Sequence, residues 1–163
     1  GTAKYAFLRG TLTGSHFRQE ATGSDKSYGF FLRGSGKTLF VCEAAIDALS
    51  IATLRKFDGL DWKKDNYLAL GGVTASERKL PVALERTLNN FSFKRVVLCF
   101  DNDAAGQTAA RRIFTMLRQQ FPENLEVRTC VPEVKDFNDQ LCVKLQNGKN
   151  SPSRGTREST LSR

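Results

Sequence analysis

Three acids stand where apolar runs of the sequence stop. Glu43 follows directly on "TLFVC", Thr38 to Cys42, and Asp101 and Asp103 follow on "RVVLCF", Arg95 to Phe100. A buried strand gains nothing by ending in charge, so these acids need another reason for their place. Taken one at a time, each has a structural reason. Asp103 suits the N-cap of a helix, and Asp47 suits a first helical turn, where the macrodipole favours an acid. A cap uses one carboxylate, however, and an Asp-x-Asp supplies two. Carboxylates gathered in one crevice repel each other, more strongly in a low dielectric, and a divalent cation relieves that repulsion. Oxygen ligands with no histidine beside them suit Mg²⁺, with Mn²⁺ as a substitute. Mg²⁺ typically takes one or two carboxylates and completes its shell with water and substrate phosphates. His16 is the one histidine and lies in the N-terminal segment, which argues against zinc.

The elements that must position these acids follow from periodicity. "TLFVC" is an apolar run of strand length, and "AAIDALSIATLRKF" after it places Ala45, Ala48, Leu49 and Ala52 on one helical face. "NYLAL" (Asn66 to Leu70) is a second strand, ending in Gly71-Gly72. "TASE" (Thr74 to Glu77) then has the form of a capping box. The two glycines and the helix start would together offer backbone N–H groups to an anion, although capping alone accounts for Thr74 and Glu77. "RVVLCF" is the most apolar strand. The segment after Asp103 puts Ala110, Ile113, Phe114, Leu117 and Phe121 on one side of an amphipathic helix. "LEVRTCV" (Leu125 to Val131) is a fourth strand, and "DFNDQLCVKLQ" a last helix.

Apolar strands alternating with helices belong in a parallel sheet covered on both faces. The ligand site of such a sheet lies beyond the carboxyl ends of its strands. Glu43, Asp101, Asp103 and the "KDFND" segment, Lys135 to Asp139, all fall there. The expectation is an α/β doubly wound domain over residues 37–147, with a four-stranded parallel sheet flanked by helices. A small antiparallel β appendage occupies residues 1–36, with "KYAFLRGT" and "SYGFFLRG" as its two strands. A disordered basic tail fills residues 148–163, polar and broken by Gly and Pro. "GSGKT" (Gly34 to Thr38) resembles the end of a phosphate-binding loop, but Phe31 stands where that pattern needs a glycine. The segment also precedes a strand instead of opening a helix, so a plain turn is expected.

Composition sets the outer limits. The 163 residues suit one domain, and 40% hydrophobic content can build its core. No run approaches the roughly 20 apolar residues of a membrane span, and "GTAKYAFLRG" has no apolar signal core, so a cytoplasmic protein is expected. The net charge of +8 points to a polyanion such as nucleic acid. Four cysteines without CxxC spacing suggest neither a zinc knuckle nor a redox pair, and three of them are expected in the core.

In their order these segments resemble the Toprim domains of bacterial-type primases, type IA and type II topoisomerases, some nucleases and recombination proteins. "LFVCEAAIDALS" is similar to the family's first motif with its glutamate, here Glu43. Ala44 stands where the family usually has Gly. "YLALGGVTAS" resembles the second-strand segment, "VVLCFDNDAAGQTAARR" the Asp-x-Asp strand with its helix start, and "KDFNDQL" the Lys-Asp motif of primase-like members. "FLRGT" and "GSDKSYGFFL" resemble the segment that precedes Toprim-like domains in proteins of bacterial mobile elements. The resemblance implies a Rossmann-like Toprim fold in which Glu43 is the general acid/base and Asp101 and Asp103 hold Mg²⁺, supported by Asp47 and Asp136. Lys135, Arg111 and Arg112, with Gly71 and Gly72, are then candidates for phosphate contact, against the plainer reading of Lys135, Arg111 and Arg112 as solvated surface. The implied function is Mg²⁺-dependent nucleotidyl transfer or phosphodiester cleavage on DNA or RNA, single-stranded, as a primase-like part of a longer mobile-element protein. The alternative is a non-catalytic Toprim module that binds DNA or a protein partner. A receiver domain is disfavoured, since receivers pair their acids after the first strand. Tyr5, Tyr28 and Tyr67 offer no evident topoisomerase nucleophile.

Overall fold

The computed structural model describes residues 2–11, 17–72, 79–121 and 123–149. In chain order its elements are β1 (Phe7–Arg9), β2 (Arg18–Glu20), β3 (Phe30–Leu32), β4 (Thr38–Cys42), α1 (Ala45–Phe57), β5 (Asn66–Ala69), α2 (Val82–Asn90), β6 (Arg95–Cys99), α3 (Ala104–Gln120), β7 (Glu126–Thr129) and α4 (Phe137–Lys149). The main sheet runs β3-β5-β4-β6-β7; β4 pairs in parallel with both β5 and β6, and β6 in parallel with β7. The four expected parallel strands are therefore present.

Alternation along the strands explains the layers. Leu39, Val41, Val96 and Leu98 point to one face, where they meet Leu84 of α2 and Ala110, Ile113 and Leu117 of α3. Phe40, Cys42, Val97 and Cys99 point to the other, against Ala48, Ile51 and Ala52 of α1 and Phe137 of α4. Each large side chain buried this way contributes about 1.5–3 kcal/mol. The small residues of α1 let it lie close to the sheet.

Four expectations need correction. "SYGFFLRG" is not part of the appendage: β3 joins the main sheet as a fifth, antiparallel edge strand, pairing Phe30 with Ala69 and Leu32 with Tyr67. The physical reason is burial, because Phe31 packs on one core face and Phe30 on the other. The appendage pairs β1 instead with β2, Phe7 opposite Glu20. Leu49 of α1 is 45% exposed and stands off the buried face. Two cysteines are buried, not three; Cys130 and Cys142 are exposed. Helix α4 continues through Gly148 to Lys149, past the expected start of the tail. Thr74 to Glu77, His16 and residues 150–163 lie outside the described residues.

"GSGKT" is a turn ahead of β4. Asn66 holds it, accepting from the Gly34 N–H at 2.9 Å and donating to the carbonyls of Gly36 and Thr38 at 3.0 and 3.1 Å, so this buried amide is well satisfied.

Candidate functional site

The carboxyl ends of β4 and β6 carry the acids to one place. Glu43 leaves β4 ahead of α1, and its carbonyl accepts the N–H groups of Gly71 at 2.9 Å and Gly72 at 3.2 Å. Both glycines have positive φ, 77° and 116°, which a Cβ would strain. Their amides are thus given to the Glu43 backbone rather than held open for an anion. The Asp101 N–H faces the Glu43 carboxylate across the ends of β4 and β6 and holds its pKa back. Gly106 makes this approach possible: a Cβ there would overlap the Asp101 carbonyl and stand 3.1 Å from Glu43 Oε1.

Asp103 is the N-cap of α3, its Oδ1 accepting from the Gly106 N–H at 2.7 Å. Asp136 does the same ahead of α4, accepting from the Asp139 N–H at 2.7 Å. Asp47 is buried in the first turn of α1, where the Asn138 N–H reaches its Oδ1 at 3.4 Å. Asn102 joins two loops: its N–H donates to the Lys135 carbonyl at 2.8 Å and its side-chain amide to the Pro132 carbonyl at 3.2 Å.

Proximity shows in the acidities. Burial, then the neighbouring charge of Asp101, and to a lesser degree that of Asp103 and Asp47, push Glu43 up to about 7. Burial, Asp101 and Asp136 push Asp47 up to about 6. Asp101 is raised by burial, Asp136 and Asp103, and held back by Lys135 and Arg18. These acids feel one another as a single concentration of negative charge.

A cavity of about 640 Å³ opens over them, with Glu43, Asp47, Asp101 and Asp136 in its wall. Lys135, Gly71 and Gly72 also line it. Arg111 and Arg112 do not; they sit on α3, Arg111 on the exposed face and Arg112 half-buried. The cavity has a second wall that the sequence did not disclose, made by Tyr5, Phe7 and Arg9 at the first strand of the appendage and Arg18 at the second. Nothing in the types or spacing of Arg9 and Arg18 marked them, since two arginines in short polar-flanked strands look like solvated surface.

Among the described residues no three His, Cys, Asp or Glu side chains form a ready-made metal cage. The donor set nevertheless suits Mg²⁺. Its carboxylates are hard oxygen ligands whose raised pKa values record crowded negative charge that a cation would relieve, and Mg²⁺ needs only one or two of them.

Two solved structures share this arrangement of sheet and helices. The primase fragment of the bacteriophage T7 primase-helicase protein superposes with a TM-score of 0.58 at 25% identity, covering 92% of this chain and 55% of that one. A DNA primase domain from Pseudomonas aeruginosa gives 0.53 at 15% identity, covering 84% of this chain and 41% of that one. The chain thus spans little more than half of the T7 fragment. No curated protein sequence matches it. A family model described as Toprim-like matches residues 40–141, and the chain belongs to that family.

Proposed function

We propose that this domain is the catalytic module of a primase-like nucleotidyltransferase acting on single-stranded nucleic acid with Mg²⁺. The observation that carries the reading is the opposition within one cavity of four acids, Glu43, Asp47, Asp101 and Asp136, and three cations, Arg9, Arg18 and Lys135. A cavity built only to bind a polyanion has no use for the acids. One built for phosphoryl transfer uses both.

Asp101, with the Asp103 oxygen that the cap leaves over, would hold Mg²⁺, which when bound stabilises the charge that develops on a phosphoryl oxygen. Lys135, Arg9 and Arg18 hold and orient substrate phosphates, as point charge and guanidinium forks respectively. The Glu43 carboxylate takes the proton of the attacking hydroxyl, a task suited to a carboxyl whose pKa lies near neutrality. Asp47 keeps negative charge beneath the site, and Asn102 holds the Lys135 loop in register with Asp101. Glycines 71 and 72 fix the Glu43 backbone, with the Tyr5 hydroxyl packed on Gly71 and open space beside Gly72.

The test is primer synthesis and strand cleavage on single-stranded DNA with Mg²⁺, comparing wild type and Glu43→Gln, with DNA affinity measured alongside. Turnover in the wild type, lost in Glu43→Gln with affinity nearly unchanged, supports the reading. Equal activity in the two proteins refutes the role of Glu43. DNA binding with no turnover in the wild type favours a non-catalytic binding module.

A further inference from the structure

Strand register sets three thiols in a row beneath the acidic rim. Cys42 and Cys99 are in-register partners of β4 and β6. β6 and β7 pair Leu98 with Thr129, so the next step along both chains brings Cys99 beside Cys130, whose N–H donates to the Leu98 carbonyl at 2.8 Å. Neighbouring strands lie about 4.8 Å apart, within the roughly 4.4–6.8 Å that a disulfide spans between Cα atoms. Access divides the row. Cys130 is open to solvent, whereas Cys99 and Cys42 are buried. The Cys42 thiol is also engaged, with the Ala44 and Leu68 carbonyls at 3.4 and 3.6 Å.

We propose that Cys130 and Cys99 form a reversible disulfide site, oxidised by hydrogen peroxide and reduced by thiols, at the sheet edge that carries Asp101. The Cys99 thiol, which donates to the Val97 carbonyl at 3.7 Å, sets its sulfur beside Cys130, and this contact, outweighing burial and helped by Arg55, brings Cys130 down to about 7. A substantial part of Cys130 is therefore thiolate at neutral pH, the form that reacts. The Cys130 thiolate attacks one oxygen of the peroxide; the O–O bond breaks, leaving Cys130 sulfenic acid, and the departing hydroxide regains a proton to become water. The Cys99 sulfur then attacks the sulfenic sulfur; the S–S bond forms, the S–O bond breaks, and the oxygen leaves as a second water with the Cys99 proton. Two thiols give up two electrons and the peroxide receives them. The bond ties β6 to β7 two residues before Asp101. The site stands independently of the proposed catalytic function, because it is read by sulfur chemistry alone.

The reduced wild-type chain is treated with hydrogen peroxide at low protein concentration, its thiols are counted, and its unreduced peptides are mapped by mass spectrometry. Cys142→Ser and Cys130→Ser, both at exposed positions, are run in parallel. The wild type is expected to lose two of its four thiols, with the Cys99 and Cys130 peptides linked and both thiols restored by dithiothreitol. Cys142→Ser should form the same link, and Cys130→Ser should keep all its remaining thiols at the same dose. The proposal is overturned by no reaction, by loss of Cys130 alone to an irreversible acid, by a link to Cys142, or by a Cys42–Cys99 link that persists in Cys130→Ser.

Discussion

Glu43→Gln should make the protein more stable while removing whatever proton transfer Glu43 performs. The folded chain pushes this carboxyl from 4.5 to about 7. Between those values the folded state holds more protons than the unfolded chain, so stability falls as pH rises through the window and stays reduced above it. At about 1.36 kcal/mol per unit the full shift corresponds to about 3.4 kcal/mol. The carboxylate is only partly buried and faces an open cavity, and solvent screening reduces the figure to about 1–2 kcal/mol. Glutamine keeps an oxygen toward the Asp101 N–H and fills nearly the same space, so the substitution removes the charge and little else. For a chain of this size the gain is about 3–6 °C in Tm near pH 8, shrinking toward zero near pH 4.5. Thermal denaturation of both proteins across that range, in chelator, checks it. A variant no more stable than wild type near pH 8, or a difference that does not change with pH, would refute the account of Glu43 as an acid strained by burial and by Asp101.

Other outcomes follow from the same geometry. Gly106→Ala should lower stability by about 1–3 kcal/mol through overpacking against Asp101 and Glu43, whereas Gly148→Ala, with open space around it, should raise it by up to about 1 kcal/mol as a helix former; urea denaturation compares the two. Asp103→Ala should cost about 1 kcal/mol of stability by removing the cap, and Asp103→Asn should keep the cap while removing the charge. Mg²⁺ at a hundred times its Kd should raise wild-type stability by about 2.7 kcal/mol, and Asp101→Asn should lose most of that gain in a thermal-shift titration. Arg9→Ala and Arg18→Ala should each weaken binding of single-stranded DNA and lower the slope of log affinity against log salt by about 0.7. An unchanged slope would remove these side chains from the phosphate contacts.

The parallel strands were legible because β4, β5 and β6 are unbroken apolar runs, which only a sheet covered on both faces explains. Glu43 and Asp101 were legible as charges at the ends of those runs. The place of β3 was not, since three residues carry no usable period and Phe30 and Phe31 earn burial only once the neighbouring strand is known. Leu49 misled because a 3.6-residue period fixes a face only roughly on a helix packed through alanines. Arg9 and Arg18 were invisible for a different reason: what matters is that the appendage folds over the sheet edge, and that is a tertiary fact. Gly71 and Gly72 were recognisable as a turn, but the partner of their amides, the Glu43 carbonyl, lies nearly thirty residues earlier in the chain.

Asn102 couples the Asp-x-Asp loop to the Lys-Asp loop. By gripping the carbonyls of Pro132 and Lys135, it makes one rigid unit of two loops separated by the whole of α3 and β7. A chimera that imports only the Asp-x-Asp segment from a relative, or only the Lys-Asp segment, would mismatch this seam and misplace the lysine. Residues 100–106 and 132–139 must be transplanted together or left together.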